Sequence, residues 1–306
     1  MKKYIIAFVV ITAVIAVIAI ANKNKNRFSN VTTTEGFYCS SEGKLTDTKP
    51  IQSHRNYCIK STSDASKLQP NTPTKYTYKI IDDRGETLYL FDVVHEKNMH
   101  LIVVRKDLNE FQHLHPTFNT SGEFALTDLN VPSDGQYRIF ADFTPSNSQI
   151  GASGKLPVTI YQDVNVGDIL KYQPQSMGQL DEVKSFDGYE LKMSVNPQPA
   201  TAGNTTMVSF VIKQNDKPVT NLQNYLGALG HSVVLSENDL DFIHAHSLSE
   251  STNNQTGRVD FHVTFPKEGN YKLFTQFQHQ GQVITSDFVL SVNSGIPDQS
   301  PEHQGH

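Results

Sequence analysis

Tryptophan is absent from this 306-residue chain, and cysteine occurs only twice. No segment after residue 74 carries the 3.6-residue apolar stripe of a long amphipathic helix. Two cysteines cannot staple a chain of this length, so the fold has to rest on hydrophobic cores. Also missing are a phosphate-binding glycine loop, a Gly-x-Ser-x-Gly elbow, a Cys-His nucleophile pair and a Cys-x-x-Cys pair. Their absence removes the sequence support for the enzyme classes that depend on them. Positive charge is scarce as well: 26 Lys and Arg face 31 Asp and Glu, for a formal net charge of −5. Lys2, Lys3, Lys23, Lys25 and Arg27 stand in the first 27 residues without an acid, so the remainder carries −10. An acidic body argues against nucleic acid, which is bound mainly through cations that neutralise phosphates. What the chain has in unusual number is histidine, twelve in all.

Residues 4–21 form an 18-residue run without charge, amide or proline. At helical rise it spans about 27 Å, close to the hydrocarbon thickness of a bilayer. The length favours a retained membrane helix; Ala19-Ile20-Ala21 would also suit cleavage of a secretion signal. Either way the body is expected outside the cytoplasm, single-pass at the cell membrane if the segment is kept and secreted if it is cut. The spacing of Cys39 and Cys58 fits a disulfide in that compartment, with a thiolate metal site including His54 as the alternative.

From residue 74 onward, short β-branched and aromatic runs alternate with Gly, Pro, Asn and Asp, at 76–81, 88–94, 101–104, 137–143, 191–195, 207–212, 271–277 and 288–292. That pattern predicts an all-β fold of two tandem immunoglobulin-like β-sandwich domains behind an N-terminal transmembrane helix. The halves align: 99–116 (MHLIVVRKDLNEFQHLHP) matches 230–247 (GHSVVLSENDLDFIHAHS) without a gap at an offset of 131 residues. Further on, 131–143 (VPSDGQYRIFADF) matches 265–277 (FPKEGNYKLFTQF). The expected organisation is an anchor at 1–21, a linker with Cys39 and Cys58 at 22–73, repeats at 74–162 and 183–293, a linker at 163–182 and a disordered tail at 294–306.

Five positions between 100 and 115 recur identically in the second copy, and three of them are histidines: His100/His231, His113/His244 and His115/His246. Side chains two apart on a strand share a face, so His113 and His115 point the same way. A hairpin turning at Asp107-Leu108 sets His100 opposite His115 with His113 diagonal, and the same arithmetic sets His231 opposite His246 with His244 diagonal. Three convergent imidazoles suit zinc or copper and leave a coordination position open. Met99 points to the other face of a regular strand, and nothing in the spacing of Met177, Met193 and Met207 requires them as ligands. The alternative is a hydrogen-bonded polar cluster, the ordinary reading for His54, His95, His262 and His279. His244-x-His246 followed by Glu250 and Gly257 partly matches the first metal motif of cupins, but Asn238 replaces that motif's opening glycine and the first repeat has Glu123 rather than an acid at the Glu250 position.

At these motifs the sequence resembles bacterial exported or membrane-anchored proteins with duplicated units, marked by MHLIVV…FQHLHP in the first and YLGALGH…FIHAHS in the second. The resemblance covers most of residues 74–293 and implies heavy-metal handling, copper above all. Ser247 departs from it where Pro116 stands in the first copy, so the second strand is expected to end differently. The combined expectation is a non-enzymatic metal-binding protein whose partners are the metal ion, the membrane and a metal-transfer protein. An immunoglobulin-like interaction module with structural histidines is the competing expectation, and a cupin-like enzyme the third.

Overall fold

The structure is a computed structural model describing residues 31–32, 38–39, 57–146, 157–247 and 256–295. The apolar segment 4–21 and the tail from 296 onward lie outside these residues. Among the described residues no helix is long and apolar enough to cross a membrane. Regular structure among them is β throughout, apart from a 3₁₀ turn at Ala65–Lys67. The chain divides into two compact units.

In the first repeat, Tyr57–Ser61, Thr74–Asp82, Phe124–Leu129 and Thr117–Phe118 make a four-stranded sheet. A second sheet runs Val158–Val166, Gly135–Pro145, His100–Arg105, Phe111–Leu114, with Phe91–Asp92 pairing the end of the long strand. Tyr76, Tyr78 and Ile80 from the first sheet and Leu101, Val103, Ile139 and Ala141 from the second share one core, the arrangement of a sandwich. Each set is spaced by two, as inward-facing strand positions must be.

The polar composition of 22–73 hides a strand. Tyr57, Cys58 and Ile59 are buried, and Tyr57–Ser61 pairs residue for residue with the Thr74–Asp82 strand. Its apolar half is completed by neighbours distant in sequence, which local composition cannot reveal. Cys58 is disulfide-bonded, and Cys39 is the chain's other cysteine; His54 lies outside the described residues. Of the run at 88–94, only Phe91–Asp92 is strand, because the chain turns at His95 and Glu96, both at positive φ (49° and 65°).

The second repeat uses the same plan. One sheet holds Val183–Phe186, Tyr189–Asn196 and Thr205–Gln214, and the edge of Thr205–Gln214 opposite Tyr189–Asn196 is shared by Lys217–Pro218 and Arg258–Thr264. The other runs Ala200–Thr201, Gln282–Asn293, Gly269–His279, His231–Ser236, Phe242–His246. Tyr189, Leu191 and Met193 enter the core while Glu190, Lys192 and Ser194 alternate outward. Both long strands begin on a glycine at positive φ, Gly135 (147°) and Gly269 (130°), a region closed to most side chains. Two residues on, Tyr137 and Tyr271 donate hydrogen bonds to the carbonyls of Ser133 (3.0 Å) and Lys267 (2.8 Å). That shared tie fixes the strand entry in each copy.

Candidate functional site

The strands His100–Arg105 and His231–Ser236 are buried at every residue, because each lies inside its sheet. Leu101 and Val103 belong to the first core and Val234 to the second. By alternation His100 and His231 sit on the sheet face away from the core, yet they are only 3% and 1% exposed. Met99 is in the core. A Cβ built on Gly230, its counterpart, would meet Phe261 and Phe277 at 2.8 and 3.0 Å. This position faces inward in both copies, so the Met99 thioether is used in packing.

Turn geometry sets the hairpin register. Arg105 N donates to Glu110 O (3.0 Å), and Ser236 N to Asp241 O (3.1 Å), each closing a four-residue connection. The connections differ inside: Leu108 occupies the left-handed region in the first (φ 62°) and Leu240 in the second (φ 55°). In the second hairpin His231 pairs with His246 and Val233 with His244, so His244 is diagonal to His231, as the spacing predicts.

The first turn is held by charge. The Asp107 carboxylate accepts from Arg105 Nε (2.8 Å), from Gln175 N (3.0 Å) and from Asn109 N (3.2 Å), and its side chain is 3% exposed. Burial by itself raises this carboxyl's pKa, but the Arg105 hydrogen bond and charge and the two backbone N–H groups outweigh it, holding it below the usual carboxylate value. Arg105 also meets Glu110 at 3.1 Å.

In the first repeat three imidazoles converge. Ring centroids lie 5.2 Å apart for His100 and His113, 5.2 Å for His100 and His115, and 4.7 Å for His113 and His115. The diagonal pair makes a polar approach, His100 Nδ1 to His113 Nε2 at 3.0 Å. His100 Nε2 turns the opposite way and lies 3.1 Å from the Val94 carbonyl oxygen. His115 follows the end of the Phe111–Leu114 strand, where Pro116 offers no N–H to prolong the ladder.

In the second repeat His231 and His244 pack ring against ring, centroids 4.3 Å apart at 72°, with the two Nε2 atoms hydrogen-bonded. The strand here extends through His246. Ser247 makes the difference from Pro116: its N–H donates to Gly230 O and its hydroxyl accepts from Gly230 N, both at 3.3 Å. The His246 side chain lies outside the described residues.

Bonds of about 2.0–2.1 Å from zinc place two tetrahedral nitrogens about 3.3 Å apart. A square-planar metal places neighbouring nitrogens about 2.9 Å apart. The 3.0 Å separation of His100 and His113 fits either with a small adjustment, so the ligand set suits an imidazole-preferring metal without choosing one.

Of the other singled-out residues, His95 lies against the second pair, its ring centroid 5.6 Å from that of His231 and 5.7 Å from that of His244; those that follow do not join these groups. His279 donates from Nε2 to Asn221 Oδ1 (3.0 Å) and receives the Tyr189 hydroxyl at Nδ1 (2.8 Å), a satisfied buried histidine. His262 is exposed on Arg258–Thr264. Met193 is in the second core. Glu123 stands at the head of the Phe124–Leu129 strand in the other sheet, accepting from Thr62 Oγ1 (2.5 Å). Glu250 lies outside the described residues.

One feature near the site escaped the sequence. Residues 94–99 and 225–230 share no identity, yet both make the same tight turn, with positive φ at His95 and Glu96 in one copy and at Leu226 (56°) and Gly227 (81°) in the other. Only Gly227 signals such a turn in the sequence.

Comparison with known proteins bears on the repeats. A family described as a domain of unknown function, DUF8832, matches twice, over residues 54–159 and 183–294. No curated protein matches the sequence. Among solved structures, FdeC, an Escherichia coli adhesin, shares 13% identity over 81% of this chain and 67% of its own, with a TM-score of 0.25. A tetra-tandem repeat from the extending region of a large adhesion protein shares 10% identity over 78% of this chain and 49% of its own, TM-score 0.25. A Salmonella alpha-2-macroglobulin reacted with methylamine shares 13% identity over 80% of this chain and 15% of its own, TM-score 0.26.

Proposed function

The chain belongs to the DUF8832 family, whose domain it carries twice, and from that premise we propose that it is a membrane-anchored, extracytoplasmic protein that binds a transition metal and passes it on. The observation that carries this reading is the first-repeat cluster, where His100 Nδ1 faces His113 Nε2 at 3.0 Å and the His115 ring closes the third side. The His231 and His244 pair supports it at the same place in the second copy. A core histidine needs no second histidine aimed at it; a metal needs several. We take each repeat to be an immunoglobulin-like sandwich with His100, His113 and His115, or His231, His244 and His246, as ligands. Copper comes before zinc on the strength of the sequence resemblance. The protein acts as carrier rather than catalyst, with a metal-accepting protein as its partner and the residue 4–21 segment as its attachment to the membrane.

The test is metal content after loading with copper or with zinc, compared between the native protein and a His113→Ala/His244→Ala variant. The native protein is expected to retain metal through gel filtration and the variant to lose it. Equal content in both would overturn the assignment. A second reading, an interaction module with structural histidines, is favoured by the exposed apolar loop of Tyr89 (47%), Leu90 (46%) and Val93 (65%). It predicts that equal-content result.

A further inference from the structure

We infer that the Val94 carbonyl is a positioning group that fixes the ring of His100 as its Nε2–H tautomer, so that the first site ligates through Nδ1 of this residue. The inference rests on the metal-binding reading and deepens it.

A carbonyl oxygen can only accept, so the 3.1 Å contact between Val94 O and His100 Nε2 requires the hydrogen on Nε2. In a neutral imidazole that leaves Nδ1 with its lone pair in the ring plane. It is Nδ1 that faces His113 Nε2 at 3.0 Å. In the metal-free protein His113 Nε2–H then donates to His100 Nδ1, and the lone pair a metal would use is already aimed at the site. A ligating histidine commonly has its other ring N–H held by a carbonyl or carboxylate, which sets tautomer and orientation.

The turn that presents this carbonyl is strained. His95 and Glu96 both hold positive φ; His, like Asn and Asp, enters that region more readily than most residues, but Glu seldom does, and the second repeat has Gly227 at the place matching Glu96. In that copy the ring nitrogen of His231 that faces His244 is Nε2. The two sites, alike in sequence spacing, are thus built with opposite ring nitrogens of their first histidine.

The experiment is two-bond ¹H–¹⁵N correlation NMR on the metal-free full chain, with the His100 signals assigned by their loss in His100→Gln. A pyridine-like Nδ1 and a pyrrole-like Nε2 are expected for His100. Glu96→Pro, whose fixed negative φ cannot make the turn, should abolish the single tautomer and weaken zinc binding at the first site about 10- to 100-fold. Glu96→Gly, which accepts positive φ freely, should keep both and controls for folding. An Nδ1–H tautomer or a mixture in the native protein overturns the inference, as does Glu96→Pro leaving tautomer and affinity unchanged. Failure of the metal reading looks different: the tautomer is as expected and zinc leaves every ring unshifted.

Discussion

Replacing Asp107 probes what holds the two histidine strands of the first repeat in register. Its carboxylate collects one guanidinium and two backbone N–H donors while its side chain is 3% exposed, and the Arg105 side chain it neutralises is 6% exposed. Removing one partner of a buried pair costs about 3–5 kcal/mol, because the other charge stays desolvated. Glu110, at 3.1 Å from Arg105, retains part of the compensation, so Asp107→Ala is expected to cost about 2–4 kcal/mol. Asp107→Asn keeps the volume and one acceptor but not the charge, and should cost about 1–3 kcal/mol. The pH dependence has a definite sign. The folded carboxyl titrates below its ordinary value, so its contribution is complete above the unfolded value of about 3.9 and is lost as pH falls through the lower folded one. The gap between native and Asn proteins should therefore narrow between pH 7 and pH 3. Urea unfolding of both variants at several pH values measures this directly. An Asp107→Ala cost below about 0.5 kcal/mol, within the range of neutral surface changes, would refute the reasoning. So would an Asn penalty that stays constant with pH.

Two further outcomes are expected. Metal retention should weaken as pH falls through the imidazole range, since a protonated imidazole has no lone pair to give; tighter binding at pH 5 than at pH 7.5 in a competition titration would contradict the ligand assignment. Gly230→Ala should destabilise the second repeat by about 1–3 kcal/mol, because its methyl would sit 2.8 Å from the fully buried Phe261 ring, and a thermal melt unchanged from the native protein would show that the core yields there.

Much of this molecule could be read from alternation. Tyr76, Tyr78 and Ile80, or Tyr189, Leu191 and Met193, announce a strand and its buried face, because a pleated chain turns every second side chain the same way. The two strands on either side of Asp107 have register fixed by turn length, and the second hairpin pairs His231 with His246 as the numbering requires. The short strand Tyr57–Ser61 was less legible: five residues in a polar stretch carry too little pattern, and pairing with Thr74–Asp82 supplies the rest. The turn at His95 and Glu96 carried little signal, since His only tolerates positive φ, Glu disfavours it, and surrounding structure holds them there.

The sequence by itself determined that this is a duplicated β protein and that each copy brings histidines of one spacing to one face of a hairpin. Those are consequences of periodicity and local chain geometry. Tertiary structure alone decided that this face is buried at His100 and His231, and which ring nitrogen each presents. Spacing places a Cα and a Cβ, but the rotation of an imidazole and the seat of its proton are set by the hydrogen bonds around it. For His100 that partner is a carbonyl six residues away, delivered by a turn that the residue types do not announce.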